Sequence, residues 1–365
     1  DIISQSVAKA LYGEVSPYSA TRLERFAACA FAHFLQYGMK LTERVEYEFK
    51  PMDMGNVMHE ALESFAEEVR KRGMKWTELT EQERNEIADR CLDNIVADYG
   101  NTVLKSSARN EYMIERTRRI LRRTVWALQK QLEQGEFQPE GFEVTFGGGR
   151  IDRVDIMEDQ NKVYVKVIDY KTGNTSFDLV YLYHGLQLQL MIYLDGALRV
   201  EQKKYPDKEI IPAGVFYYNI KDPMIQEKID ADVEAVSAGL MKELKMNGLV
   251  QADPELVYRM DSSLGSIPVA FNKDGNFRKN SSVADRTQFA VLGRYVRTKI
   301  EKIRSSILEG DAEVSPYELG KKNACTYCPY MTVCGFDRRL SGYEFRRLKN
   351  FSDEELWKAF DREAE

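Results

Sequence analysis

The spacing of apolar residues changes period along the chain. From residue 19 to 133 they recur at three and four, as in helices that bury one face. Residues 19–37 (SATRLERFAACAFAHFLQY) follow a Ser/Thr-rich cap, which predicts a helix there. After Gly55, NVMHEALESFAEEVRK puts Val57, Met58, Leu62, Phe65 and Val69 on one stripe, and a third helix is expected over 82–98. Residues 104–133 carry the clearest pattern. Ile114, Leu121, Val125, Leu128 and Leu132 share a face, while Lys105, Arg109, Arg116, Arg119, Arg123 and Lys130 fall mostly away from it.

The period then becomes two. FEVTF (142–146), IDRVDI (151–156) and VYVKVID (163–169) alternate as strands do. A helix is expected at 183–198, a strand at 211–218, a helix at 229–246, a hairpin near Asp274-Gly275 and a long helix at 284–309. No Pro/Ser/Gly-rich linker divides the chain. The pattern therefore predicts one α/β domain over 1–365, with a helical part at 17–135, a strand-rich core at 140–220, a helical and hairpin extension at 221–320 and a cysteine loop at 321–340.

Composition narrows the function. No run of 18 apolar residues predicts a membrane span. A net charge of −6 argues against wholesale coating of nucleic acid but leaves room for a local basic track. The chain opens Asp1-Ile2-Ile3 without an initiator Met, which fits a fragment of something longer. Of five cysteines, Cys325, Cys328 and Cys334 cluster while Cys29 and Cys91 are remote. In a reducing compartment such spacing favours a metal or cluster over disulfides.

The candidate chemistry sits at the end of a buried strand, in YVKVIDYKTG. Side chains two apart share a face, so Asp169 and Lys171 point one way and Tyr170 the other. With a turn at Glu158–Asn161, Asp152 stands opposite Val167 and one diagonal step from Asp169, on the same face. A slip of one residue would turn Asp152 away. Two convergent carboxylates suit a hard cation such as Mg²⁺, and Lys171 can orient water or neutralise developing charge, which fits phosphodiester hydrolysis.

Taken alone, Asp-x-Lys is an ordinary strand-end ion pair; the preceding GRIDRVDI strengthens the site reading. Asp155, on the opposite face, is expected to pair with a neighbouring Arg. His59 lies at the edge of its helix stripe, where a histidine is usually structural but can ligate a metal. Gln189 and Tyr193, at i and i+4, share one side of the following helix.

Cys325-x2-Cys328-x5-Cys334 lacks one ligand of a closed tetrahedral site, and Cys29 is the natural fourth. Cys91, mid-helix, reads as a buried small hydrophobe. Spacing alone leaves zinc and an iron–sulfur cluster both open. Either would close a loop of almost the whole chain and stabilise it. The arginines of 104–133 read equally as a DNA track or a solvated face.

Together these residues resemble the iron–sulfur nucleases of the PD-(D/E)XK superfamily, in its RecB-like group. The match runs through His59, Gly149-Arg150-Ile151-Asp152, Asp169-Tyr170-Lys171, Gln189 to Tyr193, and Cys29 with Cys325, Cys328 and Cys334. Within the group, YSATRLERFAACAFAHFLQYGMKL, MGNVMHEAL and ACTYCPYMTVCGFD are most similar to the nuclease region of the B subunits of bacterial AddAB-type helicase–nucleases. The resemblance covers 17–340 and departs at Ala30, where that family usually has Pro.

This resemblance implies a mixed sheet flanked by helices, a helical N-terminal part and a C-terminal [4Fe–4S] loop. It implies Mg²⁺, as one or two ions, on His59, Asp152, Asp169 and the Tyr170 carbonyl, with Asp152, Asp169, Lys171, Gln189 and Tyr193 catalytic. It also implies a cytoplasmic exonuclease that works on DNA with an AddA-type subunit in double-strand-break resection and recombinational repair, cutting the strand that ends 5′. The cluster would serve structure and DNA-end binding. No G-x4-G-K-[ST] loop occurs, so ATP hydrolysis is not expected of this chain.

Two alternatives remain. A free-standing CRISPR-associated-type iron–sulfur exonuclease shares the pattern, but such chains are much shorter and have no evident place for 199–320. A catalytically silent, zinc-held DNA-binding module would not need Asp152, Asp169 and Lys171 together.

Overall fold

A computed structural model describes residues 3–13, 18–42, 51–98, 108–147, 149–224 and 233–364. Helices α1 (Gln5–Tyr12), α2 (Ala20–Ala28), α3 (Ala30–His33), α4 (Pro51–Lys71), α5 (Glu81–Asp98) and α6 (Ala108–Glu133) come first. Strands β1 (Gln138–Phe146), β2 (Gly149–Asp159) and β3 (Lys162–Lys171) follow, then α7 (Leu179–Tyr183), α8 (Gln189–Lys204) and β4 (Glu209–Asn219). After them come α9 (Val233–Glu243), β5 (Asn247–Gln251), α10 (Pro254–Met260), β6 (Val283–Ala284) and α11 (Arg286–Glu309). The chain closes with β7 (Tyr317–Leu319), β8 (Lys322–Asn323), α12 (Met331–Cys334), β9 (Arg346–Arg347) and α13 (Asp353–Ala364).

Strands β1 to β6 form one mixed sheet in chain order, and β7, β8 and β9 form a small second sheet beside the cysteine loop. The first three strands are an antiparallel meander, and β4 lies parallel to β3. A parallel neighbour demands a crossover, and that crossover carries α8. Strands β5 and β6, from the segment expected to be an extension, complete the sheet.

Both faces of the sheet are covered. Helices α4, α5 and α6 pack Phe65, Ile87, Leu121 and Leu128 on the face bearing Ile168, Tyr170, Phe216 and Tyr218. On the other face Val154, Val165, Val167 and Val215 meet Leu23, Leu190, Leu292 and Phe360. A strand buried on both sides reads as a nearly continuous apolar run, as VYVKVID does. Its one interruption, Lys166, reaches Asp155 at 3.1 Å, and Asp155 also accepts two bonds from Arg153, at 2.6 and 2.8 Å. The expected pairing of Asp155 with an arginine is thus present, inside the core.

Several expected boundaries move. The β2–β3 turn is Gln160-Asn161, not Glu158–Asn161, because Asp159 pairs with Lys162. Gln160 adopts φ 47°, which a two-residue turn tolerates and which admits two more cross-strand pairs. The helix expected over 19–37 breaks at Cys29, whose backbone is extended at φ −167°, and it ends in a π-helical turn, Phe34–Gly38. The helix expected at 183–198 is two. Gly185, at φ 78°, stops α7, and α8 begins at Gln189. Near Asp274-Gly275 the expected hairpin is a single bridge between Phe271 and Phe277.

Candidate active site and cysteine clasp

The corrected turn sharpens the site. A shift of two residues leaves every side chain on its expected face but changes the partners. With Arg153 opposite Ile168, one further step sets Asp152 opposite Asp169 rather than Val167. On the other side, Phe142 opposes Arg153 and Val144 opposes Ile151, so Glu143 stands opposite Asp152. Glu143, Asp152 and Asp169 therefore form a row across three strands.

The sequence-named residues converge on this row. Asp152 Oδ2 accepts the Tyr170 main-chain N–H at 2.7 Å, and His59 Nδ1 lies 3.3 Å from the same oxygen. Lys171 Nζ lies 2.5 Å from Asp169 Oδ2 and donates to Gln189 Oε1 at 2.7 Å. Gln189 Nε2 in turn donates to the Tyr193 hydroxyl at 2.9 Å. One helix turn thus holds the lysine through its amide and the amide through its tyrosine.

Glu143 was not legible in the sequence. Its carboxylate, the Asp152 carboxylate and the His59 ring each offer a ligand atom, all within 4.8 Å of one another. The side chain is 7 % exposed and ion-paired to Arg150. Its backbone is left-handed, at φ 48°. Across it the alternation reverses, since Phe142 packs with the α4–α6 core and Val144 with the opposite one.

The charges here are uncomfortable without a cation. Burial, then the Asp152 charge, pushes Glu143 up to about 7. Burial, then Asp152, pushes Asp169 up to about 6, with Lys171 opposing. For His59, burial disfavours the charged ring, but Asp152, Asp169 and Glu143 together outweigh it and raise the pKa. Buried, mutually repelling carboxylates beside an imidazole fit a hard divalent ion, which would relieve that repulsion.

A second acid also escaped the sequence reading. Glu24, on α2, accepts the N–H groups of Leu188 and Gln189 at 2.7 and 2.9 Å. Burial, opposed by these two bonds, pushes its carboxyl up to about 7. The only signal was its place in TRLERF, just ahead of Cys29.

Cys29, Cys325, Cys328 and Cys334 line one small cavity, otherwise walled by apolar side chains such as Phe31, Val314, Met331 and Phe336. Burial, then the three other thiols, pushes Cys325 up to about 11. Four sulfurs in an apolar pocket fit a thiolate-held zinc or iron–sulfur group. Cys91 is elsewhere, buried in the α4–α6 core as expected. The clasp joins the end of α2 to the C-terminal loop.

The basic track is less uniform. Arg119 and Arg123 both face Asp222, at 2.5 and 3.9 Å, while Arg109 and Arg116 are exposed. Lys105 lies outside the described residues.

The sequence model for the PD-(D/E)XK nuclease superfamily matches residues 17–335. Over 386 aligned residues, an ATP-dependent helicase/deoxyribonuclease subunit of Lachnoclostridium phytofermentans is 43% identical, with 100% of this chain and 33% of the relative covered. Proteins of the same name from Thermoanaerobacter sp. and Alkaliphilus metalliredigens are each 35% identical, with 100% of this chain and 34% of each relative covered. The chain thus spans about a third of the length of these relatives. Among the described residues no helix is long and apolar enough to cross a membrane. A three-strand carboxylate row with its lysine, joined to a match over most of the length, has one reading: the chain belongs to the PD-(D/E)XK nuclease superfamily.

Proposed function

We propose that this chain is the nuclease region of a longer AddAB-type helicase–nuclease subunit, and that it hydrolyses DNA phosphodiesters with Mg²⁺. One observation carries the reading. Asp152 and Asp169 oppose each other across β2 and β3, and Lys171 is held beside Asp169 by Gln189. A magnesium ion bound by Asp152, Asp169, His59, Glu143 and the Tyr170 carbonyl, as one ion or two, would polarise the phosphoryl oxygen and acidify the attacking water.

The chain's own residues do the rest. Asp169 and Gln189 fix the Lys171 ammonium, which orients the water and offsets charge developing on phosphate. Tyr193 restrains the Gln189 amide. Arg109 and Arg116 supply phosphate affinity along α6, and Arg119 and Arg123 join them where DNA displaces Asp222.

In the same reading, Cys29, Cys325, Cys328 and Cys334 hold a [4Fe–4S] cluster that secures the fold and the DNA-end site. The protein works in the cytoplasm with an AddA-type partner, as an exonuclease in double-strand-break resection and recombinational repair. The names of the relatives, helicase/deoxyribonuclease subunits matched across the whole chain, support DNA cleavage within a helicase–nuclease assembly. A short CRISPR-associated-type exonuclease would leave 199–320 unmatched. A silent zinc-held module would leave the carboxylate row without a purpose.

The test is anaerobic purification followed by iron, sulfide and zinc analysis and a cleavage assay on linear DNA. About four irons per chain, and Mg²⁺-dependent cleavage abolished by Lys171→Ala, support the reading. Zinc without iron removes the cluster. Cleavage unchanged by Lys171→Ala removes the site.

A further inference from the structure

We propose that Glu24 is a positioning residue for Lys171, and that through it the cysteine clasp and the nuclease centre form one mechanical unit. The inference rests on the nuclease reading above for its kinetic part only.

A helix leaves its first N–H groups without partners inside the helix. At the start of α8 the capping position is Leu188, whose side chain cannot accept a hydrogen bond, and no side chain of α8 supplies one. The acceptor comes from α2 instead. Glu24 Oε1 takes both Leu188 N–H and Gln189 N–H, at 2.7 and 2.9 Å, across separations of 164 and 165 residues. A carboxylate at a helix N-terminus is favoured by the helix dipole as well as by the two bonds.

Gln189 is where the two halves meet. Its main-chain N–H is held by Glu24, while its side-chain oxygen holds Lys171 at 2.7 Å. The position of the lysine's acceptor is therefore set by the position of α2. That helix ends at Cys29, whose N–H still bonds the Arg25 carbonyl at 3.1 Å, so the clasp ligand is rigidly continuous with the helix bearing Glu24. Between them, Leu23 and Ala27 pack in the same core as Leu190 and Leu194 of α8. A clasp that opens frees the end of α2, and the displacement passes to Gln189 through Glu24.

Two variants separate the roles. Glu24→Gln keeps an oxygen acceptor, whereas Glu24→Ala removes it. The expected result is a loss of roughly 10- to 100-fold in kcat for Glu24→Ala, with the KM for DNA and the Mn²⁺ affinity unchanged and Glu24→Gln close to wild type. In the double variant Glu24→Ala/Gln189→Ala, kcat should match Gln189→Ala alone, because both act through one contact. Multiplying effects, or a loss confined to KM, overturns the proposal.

Hydrogen exchange supplies a readout that needs no cleavage. In the peptide spanning 186–193, protection of the Leu188 and Gln189 amides should fall in Glu24→Ala and also in Cys328→Ser, with circular dichroism confirming that both remain folded. Protection retained in Glu24→Ala overturns the cap, and protection retained in Cys328→Ser overturns the link to the clasp. Wild-type chain that cleaves nothing with any divalent ion defeats the nuclease reading, and the exchange data still judge the linkage.

Discussion

Asp152 is bound at both ends of its task. Its Oδ2 accepts the Tyr170 N–H at 2.7 Å while facing His59 at 3.3 Å. The strand that delivers Asp169 and Lys171 thus also fixes the carboxylate opposite them, and register and site are specified by the same bond.

That double role separates charge from structure. Asp152→Asn keeps an oxygen for Tyr170 and removes the charge. Its unfolding midpoint should stay near wild type while Mn²⁺ affinity and cleavage fall, cleavage by about 100-fold or more. Asp152→Ala should lose a further ~1–3 kcal/mol of stability, because the buried N–H has no acceptor. Denaturant titration beside Mn²⁺ titration checks both, and equal stability of the two variants would contradict the structural half.

At Glu143, function and stability should oppose each other. A left-handed backbone costs an L-residue roughly 1–2 kcal/mol, which glycine avoids. The side chain is also crowded by the Asp152 charge, and its partner Arg150 is mostly exposed and contributes little. Glu143→Gly should therefore stabilise the metal-free chain by about 1 kcal/mol and weaken divalent-ion binding. A destabilised variant with unchanged Mn²⁺ affinity would remove Glu143 from the ligand set.

The buried trio of Arg153, Asp155 and Lys166 gives a third expectation. Asp155 is fully buried and is the shared acceptor of both cations. Removing it in Asp155→Ala strands two charges in the core and should cost about 3–5 kcal/mol. Replacing all three by apolar residues of similar volume should recover most of that loss, measured by the same denaturant titration.

His33 predicts an acid sensitivity. Burial, helped by the positive charge of Arg22, holds its pKa down at about 3, and its Nε2 accepts the Arg22 Nε–H at 3.2 Å. The folded state therefore prefers the neutral ring. Above the unfolded value of 6.5 both states are neutral and this contribution is complete. As pH falls from there toward 3, the unfolded chain takes up the proton first, and stability should drop by up to roughly 1.4 kcal/mol per unit. His33→Gln keeps an acceptor without titrating, so its stability profile should be flatter across that window.

Much of the site was legible because face is encoded in spacing. Parity put Asp169 and Lys171 together, helix period put Gln189 with Tyr193, and the cysteines announced themselves by density. The register error of two residues left no trace in the pattern, since parity is blind to even shifts. Glu143 was hidden for a different reason. Its positive φ reverses the alternation that such reasoning assumes, so FEVTF looked like an ordinary strand. Glu24 was hidden by distance, because a cap supplied from 164 residues away has no local signature. The break at Cys29 was equally silent, since Ala30 carries no helix-breaking signal.

The clasp also has a meaning in time. Cys29 caps the end of α2, whereas Cys325, Cys328 and Cys334 follow the whole large sheet. A ribosome therefore makes the whole large sheet and every acid of the candidate site before it makes the sulfurs that close the ring. A chain cut short between the sheet and the cysteine loop owns the proposed site residues but has only one of the four thiols. Closure of the clasp therefore waits for the whole large sheet, and the proposed linkage through Glu24 lets the candidate site register that event.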